Sequence, residues 1–159
     1  MVKVNSKLMK IKFLFIFLLF FNYSLSFAES YIKASNGIIW DKNNQTYIAE
    51  GNVEFENDEI IANANKMIAS YSYEKEKEVF QTVNLQGKVK IFYNDEIFNS
   101  NNADYDRLNS LIILYGNVTI ESPERYLSGD KLIVDLENNT RVLETVGENS
   151  LAEALIKDE

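Results

Sequence analysis

An all-β protein made of short, repeated strands is what this sequence predicts, and three observations carry that prediction. First, Gly-x-Val-x-(Phe/Ile) segments begin at Gly51, Gly87 and Gly116, and 13 residues after each glycine comes a small residue followed by Asn or Asp: Ala64-Asn65, Ser100-Asn101 and Gly129-Asp130. Ser35-Asn36 stands 16 residues before Gly51, as Ser100 stands 16 before Gly116, so the unit is about 29 residues long. Second, apolar residues alternate with polar ones around each glycine, the period that buries one face of a strand. Third, aromatic and β-branched residues are abundant, while helix-forming stretches are scarce. A repeat this short cannot bury its own apolar face, so function should lie on a surface that several repeats build together.

In chain order, the first segment runs from about Tyr31 to Trp40. The next strand puts Tyr47, Ala49, Gly51, Val53 and Phe55 on one face and Glu50, Asn52 and Glu54 on the other. Ala62 follows, then Met67 and Ala69. The odd step between these apolar positions predicts a bulge or corner at Ala64, and likewise at Ser35, Ser100 and Gly129. The second unit is seven residues longer than the others, and Glu74–Glu78 within the surplus reads as a charged hairpin tip. Val83–Tyr93 and Ile112–Ile120 repeat the glycine-centred strand; Phe98, Ala103 and Tyr105, then Leu127, Leu132 and Val134, repeat its partner. Pro123 marks a turn. Arg141 to Ile156 comes last, and Ser150–Lys157 reads either as a short helix or as a final strand.

Residues 1–28 stand outside this pattern. Lys3, Lys7, Lys10 and Lys12 form a basic leader, Phe13–Phe21 is a run of nine apolar residues, and Ser26-Phe27-Ala28 has the small residues of a cleavage site. The run is shorter than the roughly 20 residues a membrane span needs. A secretory signal peptide over residues 1–28, cut before Glu29, and one domain over 29–159 are therefore expected. Subtracting the four leader lysines leaves 12 basic residues against 24 acids, near −12 over 131 residues. So acidic a chain is not expected to bind nucleic acid, whose phosphates need Lys and Arg, nor to lie on an anionic membrane.

The chemistry available is sparse. With no His and no Cys, there is no imidazole base, thiolate nucleophile, disulfide or ordinary zinc site. Asp104 with Asp106, or Asp95 with Glu96, are the candidate carboxylate pairs, but they fall on predicted solvent faces or turns. A catalytic acid needs a sheltered pocket to raise its pKa, and neither pair has the spacing of a calcium loop. No enzyme, metal or cofactor is expected.

The recurring Gly-Asn-Val with its apolar lead-in (Tyr47–Val53, Ile112–Val118), the steps Ala64-Asn65-Lys66 and Gly129-Asp130-Lys131, and Ala103-Asp104-Tyr105-Asp106 together resemble the OstA-like family of lipopolysaccharide transport, in its soluble periplasmic branch. The resemblance covers nearly the whole of residues 29–159, although a polar tail present in larger relatives is lacking. It implies an open, twisted β-jellyroll with a hydrophobic interior groove that holds lipid A acyl chains. On this reading Trp40, Val53, Phe55, Val89, Ile91, Tyr105, Val118, Ile120 and Val134 line the groove, Ile91 and Tyr105 matching the family's interior positions best. A buried CH₂ contributes about 0.8 kcal/mol, so one acyl chain could contribute on the order of 10 kcal/mol of shielding. No basic cluster offers a tight clamp for the lipid's phosphates.

Open sheets leave unpaired edges that pair with other chains. Ile38 at the N-terminal edge and Val142, Leu151 and Leu155 at the C-terminal edge are the candidate assembly residues. The resemblance implies head-to-tail self-association, an inner-membrane transport subunit at the N-terminal edge and an outer-membrane translocon at the C-terminal edge. Two other readings stand beside it. One is a membrane-anchored subunit of similar fold, which a mature N-terminus at Glu29 would exclude. The other is a secreted structural or carbohydrate-binding β-repeat protein, against which the alternation of 13- and 16-residue steps (with one of 23) counts.

Overall fold

The glycine and asparagine of each repeat lie on one line across a single antiparallel sheet. The computed structural model describes residues 30–147 and 150–157; the expected signal peptide and its cleavage point lie outside them. Ten strands make the sheet: β1 (Tyr31–Lys33), β2 (Gly37–Asp41), β3 (Thr46–Glu56), β4 (Ile61–Glu74), β5 (Lys77–Tyr93), β6 (Glu96–Asp106), β7 (Leu111–Glu121), β8 (Arg125–Asp135), β9 (Thr140–Glu144) and β10 (Glu153–Ile156). Neighbours in the chain pair from β3 to β8. The outer edge of β3 carries both β1 and β2, and the outer edge of β8 carries both β9 and β10. Among the described residues there is no helix, and the stretch Ser150–Lys157 carries a strand, Glu153–Ile156.

The repeat spacing has a mechanical meaning. Gly51-Asn52, Gly87-Lys88 and Gly116-Asn117 each set two residues opposite one, namely Asn65, Asn101 and Asp130. All six doubled residues have positive φ, from 42° at Asn52 to 79° at Gly51. A β-carbon on Gly87 would lie 2.7 Å from the Asn65 side chain, and one on Gly116 would lie 2.8 Å from that of Asn101. The corner therefore stands where the spacing predicts it, but the extra residue belongs to the glycine strand. Glycine adopts left-handed φ at no steric cost, whereas Ala64 and Ser100 stay buried in the sheet. Gly87→Ala is expected to lower stability by about 1–3 kcal/mol, from left-handed strain together with displacement of Asn65. Asn65→Ala in the same chain should relieve the clash and leave the strain, which a urea midpoint series would resolve.

The surplus of the second unit lengthens strands instead of making a loop. β4 runs to Glu74 and β5 starts at Lys77, leaving only Lys75-Glu76, with φ of 50° and 66°, as the two-residue turn. Three other turns share a device that the repeat analysis misses. Asp41, Asp106 and Asp135 each accept bonds from an Asn three residues on, Asn44, Asn109 and Asn138, through both its backbone and its side chain. Those bonds hold all three carboxyls below their ordinary pKa.

The line of bulges divides the sheet into two leaves. The β1 leaf contains β1, β10 and the arms of the long strands around Phe55, Ile91 and Ile120. The β2 leaf contains β2, β9 and the arms around Ala49, Leu85 and Leu114. One cluster of buried apolar residues draws on both leaves, so the sheet is folded along the glycine line with its apolar faces inward.

Candidate functional site

The space between the leaves is the largest apolar feature that the described residues build. Alternation along each arm aims every second side chain inward, and the register aligns these in rows. In the β1 leaf one row passes from Ile32 through Phe55, Ala62, Ile91, Phe98 and Ile120 to Leu127. In the β2 leaf a row passes from Trp40 through Tyr47, Ala69, Val83, Tyr105 and Ile112 to Val134.

Of the nine residues expected to line a groove, eight are interior: Val53, Phe55, Val89, Ile91, Tyr105, Val118, Ile120 and Val134 are each at most 2% exposed. They pack on one another and on Met67, Leu85, Phe98, Leu114 and Leu132, so the interior is filled by its own side chains. Trp40 differs, at 46% exposure on the edge strand β2. It stacks on Tyr47 at 5.9 Å and donates its indole N–H to the Tyr71 hydroxyl at 2.9 Å. Tyr47 and Phe80 continue that aromatic line inward to Phe55. Beside it a cavity of about 320 Å³, lined by Ile32, Ile38, Tyr47 and Phe80 among others, opens the interior at its N-terminal end.

Opposite the glycine line the strand turns of the two leaves face each other across a mouth. Side-chain contacts span it or lie just inside it, among them a bond from Asn57 Nδ2 to the Tyr105 hydroxyl at 3.4 Å. Arg141 of β9 donates its Nε–H to Glu96 Oε2 at 2.8 Å, with its guanidinium 5.8 Å from the Tyr93 ring. Tyr105 donates its hydroxyl to Glu59 Oε2 at 2.6 Å. Phe55 meets Phe80 edge to face at 5.5 Å. Burial, then the bond to Glu59, pushes the Tyr105 hydroxyl pKa well above its ordinary value, so it stays a donor. Among the described residues, no backbone hydrogen bond outside the strand ladders bridges the mouth. Parting the leaves at the mouth therefore breaks side-chain contacts and leaves the ladders intact. Hollows of about 530 Å³ and about 330 Å³ lie along the mouth, the first between Asp58, Glu59 and Glu137, the second beside Arg125 and Arg141.

The candidate carboxylate pairs do other work. Asp104 accepts a bond from Asn84 at 2.6 Å, Asp106 holds its turn, and Glu96 is the partner of Arg141. Among the described residues no group of three or more carboxylates could hold a metal ion. Of the expected edge residues, Ile38 lies on β2 and Val142 on β9, while Leu155 lies on β10 and Leu151 precedes it; all four are exposed. Sequence reasoning missed Glu59 and Arg141, and singled out Glu96 only as half of a carboxylate pair with Asp95. Their meeting depends on how the leaves fold, and no spacing in the chain signals it.

Comparison with known proteins bears on this arrangement. The model of the family described as LptA/(LptD N-terminal domain) LPS transport protein matches residues 31–140. No curated protein sequence matches. Among solved structures, the crystal structure of LptH, described as the LptA homologous periplasmic component of the conserved lipopolysaccharide transport device from Pseudomonas aeruginosa, aligns with a TM-score of 0.70. The alignment covers 82% of this chain and 96% of that one at 9% identity. At that identity the likeness is one of fold.

Proposed function

This chain belongs to the LptA/LptD N-terminal domain family of lipopolysaccharide transport proteins, and on that premise we propose that it is a periplasmic carrier that shelters lipid A acyl chains between its two leaves. It is exported by a cleaved leader and joins end to end with further copies into a bridge from an inner-membrane subunit at its β1/β2 edge to an outer-membrane translocon at its β9/β10 edge. It needs no catalysis, metal or cofactor.

The observation that carries this reading is a continuous apolar interior whose mouth is held only by side chains. Acyl chains have the same chemistry as the residues filling that space, and each CH₂ kept from water contributes about 0.8 kcal/mol. An inserted chain would replace leaf-to-leaf packing with lipid packing, so neither the loaded nor the empty state exposes the apolar rows. The acidic turns around the mouth offer few cations to a lipid's phosphates, which favours passing the lipid on over retaining it.

A photo-crosslinking residue at Ile91 or Tyr105 should capture lipopolysaccharide, whereas one at Lys90 or Asp104, on the outer face of the same strands, should not. Equal capture at both sets would show that the lipid does not enter between the leaves.

A further inference from the structure

The outer surface carries a row that the interior reading does not use. Ile39, Ile48 and Ile68 stand side by side at one end of the β2 leaf, and Ile113, Ile133 and Val142 stand in the same row at the other. Between them lie only Asn84 and Asp104, bonded to each other. The two terminal members, Ile39 and Val142, are 62% and 50% exposed. An apolar row that runs out at both edges of one sheet is complete only where the edges meet.

We propose that a second copy of this chain completes it in one fixed register, β9 pairing with β2 so that Val142 lies opposite Ile39, and β10 pairing with β1 so that Ala154 lies opposite Ile32. This deepens the assembly reading above and rests on it. Strand direction alternates from β2 to β9, so β9 of one copy meets β2 of the next antiparallel, as every neighbouring pair in the sheet does. Continuing the rows straight across the joint then sets Leu143 against Ile38. In the other leaf it sets Leu155 against Tyr31 and Glu153 against Lys33, a cation already paired with Glu54 at 3.0 Å. Directly opposed residues of antiparallel strands are near neighbours, so Val142–Ile39, Leu143–Ile38 and Ala154–Ile32 pair apolar with apolar, Glu153 meets Lys33, and Arg141 falls against the Trp40 ring, where a cation can lie over an aromatic face. A slip of two residues one way puts Val142 against Asp41 and Ile39 against Glu144. The opposite slip puts Ile38 against Arg141. Both leaves must keep the same register, because each is continuous with the other through β3 and β8. The joint is heterologous and does not close on itself, so it extends into a filament.

The chain has no cysteine, which makes register directly readable. Ile39→Cys protein mixed with Val142→Cys protein and mildly oxidised should give disulfide dimers, and so should Lys33→Cys with Glu153→Cys. Ile39→Cys with Glu144→Cys should give no disulfide-linked heterodimer. Because each partner carries one cysteine on an exposed side chain, any heterodimer reports the joint and not refolding. Dimers from the Glu144 pair in place of the Val142 pair would overturn the register. Dimers from the Val142 pair without the Lys33–Glu153 pair would overturn the two-leaf joint. If the unmodified protein associates in sedimentation but neither in-row pair links, the register alone falls; if it stays monomeric at every concentration, the assembly reading falls with it.

Discussion

Phe55→Ala is expected to remove about 3–5 kcal/mol of stability, the range for truncating a fully buried aromatic. Phe55 is fully buried and meets Phe80 of the opposite leaf edge to face, so its loss empties space between the leaves and not within one of them. The leaves meet there through side chains alone, which limits how far the backbone can collapse to fill the gap. Against a typical total of about 5–15 kcal/mol, such a loss is a large share. Lys90→Ala, one position before Ile91 on the outer face, should shift stability by less than about 0.5 kcal/mol. Urea titration measures both. Added lipid should restore more stability to Phe55→Ala than it adds to the native chain, because an acyl chain can fill the space the ring has left.

Arg141→Met is the second large effect, and it acts in two directions. Arg141 and Glu96 have side chains 20% and 18% exposed, so removing the cation leaves a largely sheltered carboxylate without its partner. A hydrogen bond to a charged group contributes about 1.5–3 kcal/mol, and partial exposure places the expected loss of stability near the lower end. Lipid capture should become faster, since one of the contacts holding the mouth has gone. The Met side chain keeps apolar bulk near Tyr93, so the interior itself is little altered. Pairing Arg141→Met with Glu96→Gln should recover part of the stability while keeping the faster capture. Thermal unfolding and stopped-flow lipid uptake read the two effects separately.

Much of this architecture is written in the order of residues. The glycine-to-asparagine spacing locates the fold line, because a left-handed pair such as Gly51-Asn52 lets one strand outgrow its neighbour by a residue. Alternation around Val53, Val89 and Val118 marks the inner face for the same reason that any half-buried strand shows it. Other features depend on the leaves meeting. Period-two alternation cannot separate Ile91 from Phe98, or tell a groove from a filled interior, because both need the same apolar residues. Glu96 and Arg141 are 45 residues apart and look like surface charges until the turns come together. Charge marks the hairpin tip at Glu74–Glu78, whose side chains meet water, but not that β4 and β5 run up to a turn of only two residues, Lys75-Glu76.

The claim at the centre is that lipid resides between the leaves and that they must part to admit it. Glu96→Cys/Arg141→Cys protein can be joined across the mouth by a short, reducible bis-methanethiosulfonate linker, with the photo-crosslinking residue at Ile91 reporting capture. With the linker in place, capture of lipopolysaccharide should be lost, and reduction should restore it to the level of the unlinked protein. Undiminished capture by the linked protein would contradict the account.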